Sequence, residues 1–522
     1  MIKIDGLRLQ VGFDDNEILT KIAKTLKIKS NLIRNFEIIR LSIDARKKPN
    51  VFYVANVGVE LNCGLENKFK HLNYVLDREV VKYKPKETSL SPIVVGFGPA
   101  GMFAALTLAR MGLKPIVLEQ GKPVDEREED VQKFWTERKL DKFSNVQFGE
   151  GGAGTFSDGK LNTNLSSLLS SRVVNEFYHY GAPKEILYMS KPHIGSDNLK
   201  DVVKNIRKDI IKMGGKVLFS NKLVSINQIN GELESIDVEN VQTGKKLHMV
   251  TNRLILALGH SARDTFSMLY DMGFKIEQKP FAMGVRIEQK QETINKSQYG
   301  VDYDKRLPNA DYKLVEHLEN GRTVFTFCMC PGGEVVASSS GEGEIVTNGM
   351  SYFARDKENA NSALLVNVNP SDYGSSHPLA GIWFQEKYEK LAFELAGKNY
   401  NAPCQTVAEF LGEKVVKCIN HSYKPNVTFC EIEKCLPEFV SESLKTALPR
   451  LNKKLKNFSS GENLLTAVES RSSCPLTLVR GENMQSNIKG VYPIGEGAGY
   501  AGGIVSSAVD GIKVAEIIYN EM

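Results

Sequence analysis

No uninterrupted apolar stretch in these 522 residues approaches the ~20 that a membrane-crossing helix needs. The opening residues, MIKIDGLRLQ, lack the apolar core of a secretory signal, so the chain reads as cytoplasmic with no membrane partner. Cysteine is sparse. Eight are scattered along the chain (Cys63, Cys328, Cys330, Cys404, Cys418, Cys430, Cys435 and Cys474). In a reducing compartment they are thiols. No CxxC pair and no His/Asp/Glu cluster has ligand spacing, so no metal site is expected. A Gly-x-Ser-x-Gly elbow and a Walker lysine are missing, which argues against a serine hydrolase and a P-loop enzyme. No fixed-period repeat is present. Charge of one sign is also scarce overall, at +5, but it is uneven. Residues 1–88 carry 17 Lys or Arg against 11 Asp or Glu, and the remainder sums to −1.

Glycine, in contrast, is plentiful and placed. The stretch SPIVVGFGPAGMFAALTLARMGLKPIVLEQG begins near residue 91. It orders a β-branched run at 93–95, a glycine turn, a helical run at 102–111, a second apolar strand at 115–118, and an acid, Glu119. That order is the fingerprint of a βαβ unit that holds an ADP moiety. Gly96 permits the tight turn, Gly98 lets backbone approach a pyrophosphate, and Gly101 lets helix and strand pack closely. Pro99 and Ala100 begin the helix whose positive end would face the phosphates. Glu119, followed by Gln120, is placed to accept from a ribose hydroxyl. Arg127, just beyond, is a candidate to counter pyrophosphate charge, with a surface salt bridge as the alternative.

Two further glycine loops follow. GEGGAGTFSDGKLNTN (149–164) suits amides laid against a ligand, with Gly154 and Thr155 as candidate contacts. Near the C-terminus GVYPIGEGAGYAGGIVSSAVDGIKVAEIIY is again strand, glycine loop and helix. Gly495, Glu496, Gly497, Gly502, Gly503 and Ile504 are its candidate contacts. Glycine elements some four hundred residues apart point to one long ligand held from both ends.

The rest of the chain sorts into units. Residues 1–88 predict a small α+β module, with strands at 2–10, 37–42 and 51–61 and a helix at 16–26. Residues 83–92 are polar and proline-bearing, a linker. Residues 122–150 predict a charged helix with Phe134 and Trp135 turned to a core. A strand at 253–259, apolar on both faces, fits a parallel sheet. Residues 276–440 change to alternating strands (281–288, 322–328, 334–337 and 363–368) interrupted by a helix at 385–396, the pattern of an inserted antiparallel domain.

A cofactor gripped this way resembles FAD in flavoproteins of the glutathione-reductase-like class. Gly96, Gly98, Gly101 and Glu119 match that class's ADP motif. Ala257-Leu258-Gly259 resembles its second motif, with Leu for the usual Thr. Gly495-Glu496 matches the late motif, with Glu for the commoner Asp. The strings FGEGGAGTFSDGKL, KPFAMGVRIE, FCMCPGGEVV, TNGMS, GIWFQ and YPIGEGAGYAGGIVSSAVDG, with SIDARKK near the N-terminus, are similar to the bacterial FAD-dependent, or NAD(FAD)-utilising, dehydrogenases. The resemblance implies an α/β protein. A Rossmann-like FAD-binding domain (89–275 and 441–522) would hold an inserted antiparallel β-sheet substrate domain (276–440) and carry a small N-terminal α+β domain (1–88). It implies flavin redox chemistry without naming a substrate.

The expected activity is that of an FAD-dependent oxidoreductase moving hydride or electrons between an organic substrate and flavin N5. NAD(P)H is a candidate transient reductant, although no second complete GxGxxG is present. Catalytic candidates are few. Cys328 and Cys330 form a CxC that could be a redox disulfide or carry a low-pKa thiolate; the alternative is two strand-end cysteines, one buried. Cys474 is a weaker thiol candidate. Lys160 could assist from the glycine loop or be solvated. His260 is a candidate acid/base residue or a satisfied loop histidine. Arg286, Arg355, Arg471 and Arg480 are candidates to receive an anionic small-molecule substrate, against structural pairing with carboxylates such as Glu288 and Glu469. Two rival readings stand beside this one. The basic N-terminal module, with Arg40, Arg46, Lys47 and Lys48, could dock RNA in a nucleic-acid-modifying flavoprotein. Alternatively, the chain keeps flavin for stability or sensing.

Overall fold

Three short strands buried on both faces carry the centre of the molecule. Ile93–Val95 lies between Leu254–Leu256 and Ile116–Leu118, parallel to both. Val491–Pro493 and Lys216–Leu218 complete a five-stranded parallel sheet at its two edges. Alternate residues face opposite layers, as a pleat requires. Val94 and Ile255 turn toward helices, while Ile93, Val95, Leu254 and Leu256 turn toward an antiparallel three-stranded sheet. That second sheet is Asn221–Ile229, Glu232–Asn240 and Lys246–Val250. The computed structural model describes residues 1–62, 65–72, 81–163, 167–414 and 417–522. Cys63 and Asn164, the last residue of the predicted glycine loop, lie outside them.

The helical layer packs through small residues. Helix Pro99–Arg110 runs against the C-terminal helix Ile504–Asn520. A Cβ on Gly511 would stand 2.1 Å from the Ala100 carbonyl oxygen, and one on Gly101 would stand 2.0 Å from that of Gly96. Only hydrogen fits in either gap. The first and last segments of the nucleotide-type unit are thereby locked together backbone to backbone. The predicted linker is also fastened to the last helix. The Tyr83 hydroxyl meets Glu516 at 2.7 Å, and Lys86 Nζ donates to the Tyr519 carbonyl at 2.8 Å.

The predicted antiparallel unit is a seven-stranded sheet. In spatial order it runs Val315–His317, Thr323–Cys330, Asn359–Val368, Phe281–Lys290, Leu464–Glu469, Ala402–Thr406 and Val427–Phe429. The last pair alone is parallel. By pairing, this sheet takes in chain beyond residue 440: Leu464–Glu469 lies directly against Phe281–Lys290. The intervening helix Glu438–Lys454 covers the same sheet through Val440, Leu444, Ala447, Leu448 and Leu451. Sequence order hides this because the strand that closes the sheet follows its helix. Helix Val124–Glu137 joins the two units, with Trp135 Nε1 donating to the Ala337 carbonyl at 3.0 Å.

The N-terminal module has strands Ile2–Leu9, Phe52–Leu61 and Ile33–Asp44 in that spatial order, all antiparallel. Helix Asp15–Leu26 covers one face through Ile18, Ile22 and Leu26, and Asp14 caps it by accepting from Glu17 N at 2.8 Å. The module meets the body where Leu41 pairs with Met189, its N–H donating to the Tyr188 carbonyl at 2.7 Å. Among the described residues no helix is long and apolar enough to cross a membrane.

Substituting Gly101→Val forces a side chain into the 2.0 Å gap at Gly96. The expected result in differential scanning calorimetry is a thermal midpoint lowered by roughly 5–10 °C.

Candidate functional site

The parallel strands end on a cavity of about 520 Å³ enclosed between their C-terminal edge and the seven-stranded sheet. Chain order and spatial order differ completely here. Gly96 and Gly98 follow the first strand, Glu119 and Gln120 the next, Ala257 and Gly259 the next, and Ile494 and Glu496 the edge strand, and all of them line one cavity. Open α/β sheets bind ligands at this edge because strand ends and helix N-termini converge there. Gly96 has φ +98°, and a Cβ on it would stand 2.2 Å from the Ala257 carbonyl oxygen. Gly98 has open space toward the cavity, with the Gly152 backbone its nearest neighbour at 3.7 Å from a Cβ. As N-cap of helix Pro99–Arg110 it offers no side chain to the first-turn amides. Gly503 begins the C-terminal helix at the same cavity.

Glu119 does more than its motif promises. Its carboxylate accepts the N–H groups of Phe97, Gly121 and Gly149, each at 2.9 Å. It therefore ties the first glycine turn to the second glycine loop while lining the cavity. Glu496 is its opposite. Its carboxyl faces the cavity with no hydrogen-bond donor among the described residues. Burial, opposed only by Lys279, pushes it up to about 7.

Several expected contacts lie elsewhere. Arg127 is fully buried beneath the glycine loop and away from the cavity. It donates to the carbonyls of Asn145, Glu150, Val146 and Gly152 at 2.8, 2.6, 2.9 and 2.9 Å. A loop built from glycine supplies carbonyls but no side-chain donors, and one guanidinium satisfies four of them. Burial pushes Arg127 down to about 10. It is neither a pyrophosphate contact nor a surface ion pair. Thr155 is likewise turned inward, its hydroxyl donating to the Glu150 carbonyl at 3.2 Å. Gly101 packs under Gly96, Gly497 packs on Gly259, and Gly495 N donates to Asp510 at 2.8 Å; none of the three lines the cavity. Gly154, Pro99, Ala100, Gly502 and Ile504 do.

The four candidate anion-receiving arginines each already hold a carboxylate. Arg480 grips Asp510 at 2.8 and 2.9 Å, Arg355 pairs with Asp158 at 2.5 Å, and Arg286 pairs with Glu469 at 2.8 Å. Arg471 shares Glu389 with Arg263, at 2.7 and 2.8 Å, and reaches Glu344 at 3.1 Å. Glu288 pairs with none of them, accepting instead from Asn359 and Ser422. Burial opposes the Glu389 charge, but the two guanidinium groups outweigh it and hold its carboxyl well below the usual range. Burial and the Glu389 charge push Glu344 up. This network joins helix Arg263–Asp271 of the nucleotide-type unit to helix Ala380–Leu395 of the inserted one. Its members stand up to two hundred residues apart, so no local sequence signal announces it.

His260 lines the cavity with Nδ1 2.8 Å from the Ser261 hydroxyl. Burial and the nearby Arg471 and Arg263 push it down to about 3, so it is neutral across the physiological range and does not suit acid/base work. Cys474 is buried and faces the Gly497 carbonyl at 3.5 Å, a packing role. Lys160 is partly buried and paired. It pairs with Asp158 at 2.7 Å and donates to the Met329 carbonyl. Burial alone would depress it, but Asp158 outweighs that and its pKa is raised. Cys328 and Cys330 line the same end of the cavity. Burial pushes the Cys328 thiol up to about 12 and raises Cys330 too, which overturns the expectation of a low-pKa thiolate.

A protein of Clostridium beijerinckii, described as uncharacterized, is 47% identical over 529 residues, covering 99% of this chain and 98% of its own. The chain belongs to that protein's family. Residues 280–472 match the family model described as FAD-dependent protein, C-terminal domain-like. That span runs from the first to the last strand entering the seven-stranded sheet. Residues 1–60 match a domain of unknown function. Solved structures with faint likeness include the flavin-dependent brominase Bmp2 (10% identical, 84% of this chain and 79% of that one, TM-score 0.38). A geranylgeranyl bacteriochlorophyll reductase-like protein of Thermoplasma acidophilum is 12% identical over 83% of this chain and 79% of its own, with TM-score 0.35. L-proline dehydrogenase of P. horikoshii is 11% identical over 84% and 95%, with TM-score 0.34. Likenesses this faint leave the chemistry to the chain's own residues.

The raised Glu496 carboxyl has a pH consequence. The native state keeps a proton that the unfolded chain releases between its ordinary 4.5 and about 7. The associated stability is full below that window and lost as pH rises through it. Melting curves of cofactor-stripped protein are expected to show Glu496→Gln gaining on the wild type from about pH 5 to about pH 8. A constant difference across that range contradicts the assignment.

Proposed function

We propose that the chain is an FAD-dependent oxidoreductase acting on a small-molecule substrate. The observation that carries this reading is the convergence of two helix N-termini, those after Gly98 and Gly503, with Glu119 and Glu496 on one cavity wall. The match of residues 280–472 to a model described as FAD-dependent supports it. The donor set fits the cofactor. First-turn amides without a side-chain cap suit a pyrophosphate. Glu119 retains acceptor capacity beside the three N–H groups it binds, because an ionised carboxylate has about four lone-pair sites. It suits the adenosine ribose. Glu496, held near neutrality, can donate or accept toward a ribityl hydroxyl.

The bound flavin supplies hydride or electron transfer, and the protein aims and tunes it. In this reading Gly98, Gly152 and Gly154 leave the pyrophosphate path with no side chain larger than the Ala153 methyl along this loop. The positive end of helix Ile504–Asn520 opens on the cavity and would favour negative charge on a group bound there. Lys160 stays charged against Asp158 at the same end. The substrate would enter on the side lined by Phe327, the exposed Lys313 and the Lys191–Asp311 ion pair. NAD(P)H as the electron source would dock transiently at this opening.

Titrating FAD into stripped protein, with flavin fluorescence as readout, tests the reading. Saturable quenching at about one FAD per chain is expected. Glu119→Ala is expected to weaken binding roughly 10- to 100-fold, since it removes the ribose acceptor and unfastens two glycine loops. No quenching by wild-type protein overturns the proposal.

A further inference from the structure

Two thiols share the cavity wall opposite the glycine turns. Cys328 and Cys330 both line the cavity, at the end of strand Thr323–Cys330. That strand bulges between Phe327 and Cys330 where it pairs with Asn359–Val368. Within the bulge Cys328 takes φ +42°, a conformation that a β-carbon makes costly. The two thiols differ in access. Cys328 is exposed where its strand lines the cavity. Cys330 is 1% exposed and sits behind it. Cys330 Sγ donates to the Cys328 carbonyl at 3.3 Å, so the inner thiol lies against the backbone of the outer residue.

The strained segment is held from several directions. Arg286 Nη1 donates to the same Cys328 carbonyl at 3.2 Å, and Lys160 donates to that of Met329. Arg286 is itself fully buried and fixed by Glu469 and by Asn361 at 2.9 Å. Backbone strain survives only where surrounding contacts over-determine it, and such places cluster at functional sites. The held segment presents one thiol at the cavity and carries the second two residues along the same strand. Residues two apart on a strand have Cα atoms ~6–7 Å apart, at the upper end of the span a disulfide bridges. Lys160 and Arg286 place positive charge beside both sulfurs, against the burial that keeps them neutral at rest.

We propose that Cys328 and Cys330 are a redox dithiol, with Cys328 the outer thiol that exchanges with substrate and Cys330 the resolving thiol. The proposal rests on the FAD reading above and extends it to a substrate class, thiols and disulfides. In the step, both S–H bonds break and one S–S bond forms between the two Sγ atoms. Two electrons and one proton pass to the oxidised flavin, and the second proton passes to solvent. In the opposite direction, two electrons from reduced flavin and two protons reopen the bridge as two thiols. Cys328 Sγ then attacks an incoming disulfide and expels one thiol. Cys330 Sγ attacks Cys328 Sγ, expelling the second thiol and re-forming the S–S bond, with the two cysteine protons leaving on the two released thiols.

The test is an anaerobic dithionite titration of air-oxidised, FAD-loaded protein, followed by flavin absorbance. Wild type is expected to take up about four electrons per flavin and Cys330→Ser about two, because the bridge is a two-electron couple. In parallel, the wild-type peptide carrying both cysteines is expected to be about 2 Da lighter before reduction and to resist iodoacetamide until reduced. The mass measurement needs no variant, so a misfolded Cys330→Ser leaves the proposal exposed to refutation. Uptake of only about two electrons by yellow wild-type protein, with both thiols alkylated before reduction, overturns the dithiol and leaves the FAD reading standing. Protein that takes up no FAD overturns both.

Discussion

Three backbone N–H groups, from Phe97, Gly121 and Gly149, converge on the carboxylate of Glu119. Each belongs to a different turn, and each turn belongs to the cavity wall or borders it. A buried carboxyl group needs hydrogen-bond partners to replace the water it gives up. The turns need the carboxylate equally, because glycine-rich backbone has no side chains with which to fix itself. Arg127 performs the complementary task from beneath, supplying donors to four carbonyls of the adjoining loop. One acid and one base thus convert flexible glycine segments into a rigid lining.

That rigidity explains how segments four hundred residues apart make one site. The Gly511–Ala100 approach locks the first and last helices together at backbone distance, and the Gly101–Gly96 approach packs the first helix onto its own glycine turn. The Arg263–Glu389–Arg471 network then fastens the inserted unit over the sheet edge. Two buried guanidinium groups around one carboxylate suit a permanent joint. Either charge left alone there would be costly, so neither is free to receive substrate.

Much of this was legible in the sequence because it rests on local pattern. The strand at Ile93–Val95, the helix that follows and the acid at the end of the next strand were readable from apolar periodicity and glycine spacing alone. The N-terminal module was legible for the same reason. What escaped was set by tertiary pairing. Arg127 sits close to the motif in sequence, yet its guanidinium turns to loop carbonyls twenty residues later. Carboxylate pairing stood as the alternative for the four arginines, and Glu469 does hold Arg286; the other partners, Asp158, Glu389 and Asp510, come from distant segments that no local pattern links to them. The closing strand of the seven-stranded sheet, Leu464–Glu469, lies beyond a helix that resembles a return to the nucleotide unit. The CxC pair was visible as a motif. Two strand-end cysteines with one buried was the alternative already offered, and the structure has that arrangement; the bulge between Phe327 and Cys330 is what no residue type announces.

The central claim is that turns from opposite ends of the chain close on a single extended dinucleotide. Freshly purified protein, denatured and its released small molecules resolved by mass spectrometry against a protein concentration, tests this most directly. The account predicts a yellow preparation releasing about one intact FAD per chain. A colourless preparation that releases no flavin, and acquires none after incubation with excess FAD, would contradict it.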